Sequence, residues 1–272
     1  MTGLRAGAAT DRGLVRGSNE DRVLISSLVY AVADGMGGHA GGEVASALAV
    51  ARLGLLGGRE ALAPEELRAH LLAVNDEIVA TGRGEPRLRG LGTTIAGLGL
   101  VTVAGARHWA VFHVGDCRVY RLAQGVLELL TNDHTEVAEL VAAGELDEAA
   151  ARTHPRRHVV TRALGTEPGP EVDLWVLPPT PGERFLVCSD GLPLEVGVEQ
   201  IAAVLREVAA PQDAADALVR TALAGGGRDN VSALVLDGPV DGPAVRPGDG
   251  AGGDGDAGDT LPRDPGPRGV AR

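Results

Sequence analysis

"VYAVADGMGGHAGG", residues 29–42, decides between two folds. An apolar stretch runs through Asp34 into a glycine-rich loop, and a helix-like "EVASALAVARLGLL", residues 43–56, follows at once. Residues 35–40 fit G-x-G-x-x-[GA], the dinucleotide fingerprint of a doubly wound parallel sheet. Two features oppose that reading. Asp34 would set a carboxylate beside a pyrophosphate, and no acidic residue closes a second strand some 20 residues further on to hold a ribose, since Glu60 falls in the loop-like "GGREALAPEE". The alternative makes Asp34 a ligand for a hard divalent cation, with glycines that let a main-chain carbonyl reach the same ion. Glycines that serve only a tight turn are a third reading.

The rest of the chain bears on the choice. Strand character is strongest in "TTIAGLGLVTV", "HWAVFHVGD", "CRVYRL", "VLELL", "EVDLWVL", "RFLVCSD" and "NVSALVLD". Residues 118–122 and 126–130, separated by "AQG", read as an antiparallel hairpin. Helical period appears in "PEELRAHLLAVNDEIVA", where Leu67, Leu71, Val74 and Ile78 share a face behind Pro64, and again in "VEQIAAVLREVA" and "PQDAADALVRTALAGGG". Adjacent strands with no helix between them favour an α+β layout, antiparallel sheets with helices packed outside.

Composition narrows the function. The 272 residues are 44% hydrophobic, enough for one substantial core. A net charge of -12 argues against a protein that grips nucleic acid or an anionic membrane. The chain has no lysine, which excludes the Walker phosphate loop and Schiff-base chemistry. Cys117 and Cys188 lie far apart and read as reduced, buried thiols. The N-terminus lacks a signal-peptide core and no apolar run reaches membrane-spanning length, so a soluble, cytoplasmic chain is expected. Residues 1–237 read as one domain. Residues 238–272, rich in Gly, Pro and Asp, read as a disordered tail.

Four apolar segments end on an aspartate: "YAVAD", "AVFHVGD", "FLVCSD" and, after a glycine run, "GGGRD" ahead of "NVSALVLD". Singly, each is equally a turn or a helix cap. Together with "VRGSNED" they suggest a carboxylate cluster, stable only with cations between its members. Asp34, Asp190 and Asp229 could hold a metal pair about 3.5–4 Å apart, which lowers the pKa of a water and suits phosphate-ester hydrolysis. Arg16, just before Glu20 and Asp21, could clamp two phosphate oxygens.

At this point the motifs carry a family resemblance. "TDRGLVRGSNEDRV", "YAVADGMGGHAGGEVAS", "LGTTIAGLGL", "HVGDCRVYRL", "LTNDHTEVAELVAAGEL", "HPRRHVVTRALG", "FLVCSDGL" and "GGRDNVSALVL" resemble, in order, the motifs of the bacterial metal-dependent Ser/Thr protein phosphatases, the PPM or type 2C family. The resemblance spans residues 11–236. It implies a four-layer α-β-β-α sandwich of two antiparallel sheets flanked by helices, with two Mn²⁺ or Mg²⁺ ions and a third, weaker one.

Position by position, the resemblance makes Asp34 the carboxylate that bridges the two metals. Gly35 offers a carbonyl to the second metal, and Asp190 and Asp229 are carboxylates of the first. Glu20 reaches the second metal through water, Asp116 with Asp190 holds the third ion, and Arg16 binds phosphate. The implied chemistry is in-line attack of a bridging hydroxide on phosphoserine or phosphothreonine, with no phosphoenzyme. The implied partners are phosphoproteins and Ser/Thr kinases or their substrates, and a monomer is the family-like default. Met36 stands where animal members carry a histidine, which leaves the proton donor open, with His39 or metal-bound water as candidates. "HPRRHVVTRALG" corresponds to the flap beside the active site, where His154, Arg156, Arg157 and His158 could meet phosphopeptide charge. Cys117 replaces the usual serine after the third-metal aspartate. "NDHT", residues 132–135, reads as a cap on the following helix. A phosphatase, a pseudophosphatase on the same scaffold and a dinucleotide-binding oxidoreductase are the competing readings.

Overall fold

The computed structural model describes residues 4–37 and 41–238. The expected tail from residue 238 onward, apart from Gly238, lies outside the described residues, as does His39.

Among the described residues, ten strands form two five-stranded sheets, antiparallel throughout. One contains β1 (Arg5–Asp11), β10 (Val231–Asp237), β9 (Arg184–Cys188), β6 (Arg118–Ala123) and β7 (Val126–Leu129), in that order. The other contains β2 (Asp21–Ile25), β3 (Val29–Met36), β4 (Gly92–Val103), β5 (Ala106–Val114) and β8 (Asp173–Leu177). No parallel pair occurs among the described strands, which removes the doubly wound oxidoreductase. The G-x-G-x-x-[GA] match fails because Asp34, Gly35 and Met36 belong to β3 itself, paired with Thr94, Thr93 and Gly92, and do not form a loop after it. The strand runs two residues beyond the aspartate that the sequence pattern placed at its end.

Helices cover both outer faces. α1 (Gly41–Gly54) and α2 (Pro64–Gly84) lie on the β3 and β4 side, while α5 (Gly191–Glu195), α6 (Val198–Glu207) and α7 (Pro211–Gly225) lie on the β1 and β10 side. Two shorter helices, α3 (Glu136–Ala142) and α4 (Glu148–Thr153), lie between β7 and β8 in the chain. Leu67, Leu71, Val74 and Ile78 of α2 are buried, as their shared face requires. Pro64 and Pro211 open α2 and α7, where a missing N–H costs nothing. The main core fills the space between the sheets and beneath α1 and α2, with Trp109, Phe112 and Phe185 fully buried; a second cluster joins α5, α6 and α7 to the other sheet. This is the four-layer α-β-β-α sandwich. Its consequence for function is that the connection from β1 to β2 crosses from one sheet to the other, carrying residues 12–20 over one end of the sandwich.

Candidate metal centre

At that end the register lines up the acids. Asp21, the first residue of β2, lies opposite Asp34 in β3. Asp116 follows β5 by two residues, Asp190 follows β9 by two, and Asp229 precedes β10 by two. Both sheets therefore deliver carboxylates to one cleft. Their proximity is legible in their acidities. Burial raises the Asp34 carboxyl well above the usual range, and the charges of Asp21, Asp190, Asp116 and Asp229 raise it further. Asp21 is pushed up to about 6 by burial, against hydrogen bonds from Ser232 and Ser189, with Asp190 and Asp229 adding to the rise. Asp116 is pushed up to about 7 by burial and then by Asp190 and Asp133. Glu20 is also raised, chiefly by burial.

The residues fit divalent cations. Asp21 Oδ2 accepts from the hydroxyls of Ser189 and Ser232, each at 2.7 Å, but the buried Oδ1 has no partner among the described residues. An orphaned carboxylate oxygen among like charges costs free energy until a cation or its water sits there. Among the described residues, the side-chain nitrogens within 4 Å of these acids are few: Arg16 Nη2 lies 2.7 Å from Asp229 Oδ2, and His158 Nδ1 lies 3.9 Å from Asp190 Oδ2. An all-oxygen donor set suits Mg²⁺ or Mn²⁺ over thiolate-seeking metals.

The glycines of the opening stretch keep this space open. A Cβ on Gly35 would fall 2.1 Å from the Gly42 carbonyl oxygen, and one on Gly42 would fall 2.0 Å from Glu20 Oε2. They are there for close approach of β3, the start of α1 and the Glu20 carboxylate. Glu20 is held by its backbone as well: its N–H donates to Asn230 Oδ1 at 2.9 Å, and its carbonyl accepts from Ser46 Oγ at 2.5 Å and from Gly35 N at 3.2 Å. Asn230 Nδ2 donates to the carbonyls of Arg12 and Ser18, so the residue after Asp229 anchors the loop that carries Arg16.

All seven expected site residues, Arg16, Glu20, Asp34, Gly35, Asp116, Asp190 and Asp229, thus belong to the same end of the sandwich. Asp21, Ser189, Ser232 and Asn230 support them; the sequence pattern put Asp21 in the carboxylate cluster beside Glu20 but gave Ser189, Ser232 and Asn230 no role. None of those three had a local pattern to reveal it. In the flap, Arg156 pairs with Glu136 and Arg157 donates to the His154 carbonyl at 3.3 Å. Cys117 Sγ sits 3.2 Å from Thr94 Oγ1, and burial pushes its thiol well up, so it stays protonated.

A cleft of buried carboxylates between two antiparallel sheets, with an arginine at its rim, defines a class: α-β-β-α sandwiches with an oxygen donor set suited to hard metals. The family model for protein phosphatase 2C matches residues 18–225. A serine/threonine protein phosphatase of Mycobacterium tuberculosis, PstP, is 43% identical over 242 residues, 86% of this chain and 45% of that protein. The Listeria monocytogenes serine/threonine phosphatase stp is 37% identical over 240 residues, 84% of this chain and 93% of that one. Among solved structures, M. tuberculosis PstP superposes with a TM-score of 0.79 at 39% identity, covering 86% of this chain and 98% of that chain. The PstP catalytic domain in complex with two manganese ions gives 0.77 at 38%, covering 87% and 98%. The chain belongs to the protein phosphatase 2C family. It spans about half the length of the mycobacterial relatives it matches.

Proposed function

We propose that this protein hydrolyses phosphoserine and phosphothreonine in other proteins, reversing Ser/Thr kinase signalling, with Mn²⁺ or Mg²⁺ as its working ions. The observation that carries the reading is the convergence of Asp21, Asp34, Asp116, Asp190 and Asp229 from both sheets on one cleft, with Asp21 Oδ1 unpartnered. The manganese-bound PstP catalytic domain supports it.

Asp34, Asp190 and Asp229 would hold one ion, and Asp34, the Gly35 carbonyl and Glu20 through water the other. Asp116 and Asp190 would hold a third, weaker one. Bound there, the ions would lower the pKa of a water and neutralise phosphate charge. The chain's own contribution is to orient the ester. Arg16, 57% exposed, presents a guanidinium to the cleft mouth, where it can take two phosphate oxygens once Asp229 engages a metal instead. His158, from the flap, stands over Asp190. No acid within the described residues is assigned to the leaving group, since Met36 is apolar.

The catalytic unit in this reading is residues 1–237. It acts as a monomer in the cytoplasm on phosphoproteins that Ser/Thr kinases produce; no helix among the described residues is long and apolar enough to cross a membrane. A pseudophosphatase is disfavoured because every carboxylate of the set is retained. The test is hydrolysis of a phosphothreonine peptide, stimulated by Mn²⁺ and abolished by chelator. Failure with every divalent ion in a folded sample would reject it.

A further inference from the structure

We propose that Asp133 and His134 are positioning residues that clasp the turn bearing Asp116 and so set the affinity of the third, weaker ion. The inference rests on the phosphatase reading, in which Asp116 is a ligand of that ion. "NDHT" was expected only to cap α3, and Thr135 does so, accepting from Ala138 N at 3.3 Å. The two residues before it do something else.

Asp116 sits between two cross-links to this segment. On its N-terminal side, Gly115 has both backbone groups taken by His134: its carbonyl accepts from His134 N at 2.9 Å, and its N–H donates to His134 Nδ1 at 3.1 Å. Gly115 has φ of +106°, a conformation that side-chain-bearing residues rarely adopt, so the turn needs such restraint. On the C-terminal side, Arg118 makes a bidentate pair with Asp133, Nε to Oδ1 at 2.9 Å and Nη2 to Oδ2 at 2.6 Å. The Asp116 carboxylate has no hydrogen-bonding side chain of its own among the described residues, so its aim depends on these neighbours. A ligand whose support is lost typically binds its metal about 10- to 100-fold more weakly.

The clasp also reaches the flap. The His134 carbonyl accepts from Thr161 N at 2.8 Å, just past His158, and Thr135 bridges to Val160. His134 Nε2 lies 3.2 Å from Asp173 Oδ2, which also lies 3.5 Å from His113 Nε2; Asp173 Oδ1 accepts from Arg162 at 3.1 Å. The rings of His113 and His134 stack with centroids 4.3 Å apart. His113, His134 and Asp173 each offer a ligand atom, all within 4.8 Å, and invite a second metal-site reading. The hydrogen bonds argue against it. Because Gly115 N–H occupies the Nδ1 lone pair, the neutral His134 ring carries its proton on Nε2, where a metal would have to bind. Arg162 Nη1, 3.4 Å from that nitrogen, would repel a cation as well.

The test is calorimetric titration of Mn²⁺ into the full chain and its variants His134→Leu, His134→Asn and Asp133→Asn, with apo melting temperatures recorded in parallel. Asn keeps an acceptor near the Nδ1 position and Leu does not. His134→Leu is expected to weaken the weakest Mn²⁺ step about 10- to 100-fold while leaving the two tighter steps within about twofold. His134→Asn should recover most of the loss, and Asp133→Asn should weaken the same step alone. Unchanged steps, uniform weakening of all three, or Asn no better than Leu would overturn the clasp. Should Leu fail to fold, the Asn pair still decides, since Asp133→Asn must act on the weak step only. Two Mn²⁺ steps with no weaker third would overturn this inference and leave the phosphatase reading standing; no Mn²⁺ binding would overturn both. Zn²⁺ binding that requires His134 and Asp173 yet survives Asp34→Asn would contradict the tautomer and the clasp with it.

Discussion

Arg16 and Asp229 form an ion pair across the cleft mouth, Nη2 to Oδ2 at 2.7 Å, although one is expected to hold phosphate and the other metal. The hydrogen bond to Asp229 is the largest influence raising the guanidinium's pKa, followed in the same direction by the charges of Asp229, Asp34 and Asp190. Arg16 therefore brings positive charge to the acidic mouth of the cleft. A metal held by Asp229, as proposed, would compete with Arg16 for that carboxylate.

From this competition, Arg16→Ala should bind Mn²⁺ at least as tightly as the parent chain while handling substrate worse. A lost charge-assisted hydrogen bond to phosphate predicts a fall in kcat/KM of about 10- to 100-fold, mostly in KM. Calorimetry and steady-state kinetics on the same preparation separate the two effects. Weaker Mn²⁺ binding with unchanged KM would reverse the assignment.

Removing charge from the cluster should stabilise the empty chain. Asp21 is 1% exposed, its carboxyl is raised to about 6, and its Oδ1 is orphaned. Asp21→Asn keeps an acceptor for Ser189 and Ser232, so unfolding of the metal-free variant should cost about 1–3 kcal/mol more than for the parent. Its Mn²⁺ affinity should fall. Denaturant unfolding in chelator, followed by titration, reads both signs.

Two glycine substitutions should each cost stability, because β3 and the start of α1 meet backbone to backbone. Gly35→Ala drives a methyl into the Gly42 backbone and should destabilise the fold by about 1–3 kcal/mol. Gly42→Ala meets Glu20 Oε2 at 2.0 Å and also the Gly35 carbonyl carbon and oxygen at 2.7 and 2.8 Å, so it should destabilise the fold too and, by displacing the Glu20 carboxylate, lower Mn²⁺-dependent activity. Unchanged melting temperature and activity in Gly42→Ala would argue against this close approach of β3, α1 and Glu20.

The cluster also sets a pH dependence whose sign differs from that of ordinary surface acids. Asp34, Asp21 and Asp116 have folded pKa values above the unfolded value of 3.8, so folding takes up protons. Their contribution is full below about 4 and is lost as pH rises through the folded values. Burial lowers His113 to about 4 and lowers His134 as well; these oppose the acids below the ordinary histidine pKa of 6.5 but are silent above it. The metal-free chain should therefore lose stability between pH 6.5 and about 8, where Asp116 titrates. Mn²⁺ displaces those protons, so its affinity should rise over the same window. Thermal melts at a series of pH values, with chelator and with Mn²⁺, check both slopes.

How much of this was legible in the sequence depends on range. α2 announced itself because Leu67, Leu71, Val74 and Ile78 repeat at helical spacing, and the β6–β7 hairpin because its partners are neighbours in the chain. β1 was missed because "RAGAATD" has almost no β-branched residue and becomes a strand only by pairing with β10 at the far end of the chain. β2 was missed with it, and so Asp21 was left without its place opposite Asp34. Motif order supplied the expected ligand positions, which spacing alone could not. The His134 link to Gly115 is a tertiary contact across 19 residues, with no local pattern to reveal it.

The central claim is that the carboxylates at this end of the sandwich hold metal ions that drive phosphoester hydrolysis. Phosphate release from a phosphothreonine peptide, measured for the parent chain and for Asp190→Asn across an Mn²⁺ series, tests it most directly. Release should follow Mn²⁺, vanish with chelator and fall by several orders of magnitude in Asp190→Asn. Release that persists in chelator, or that Asp190→Asn matches, would contradict it.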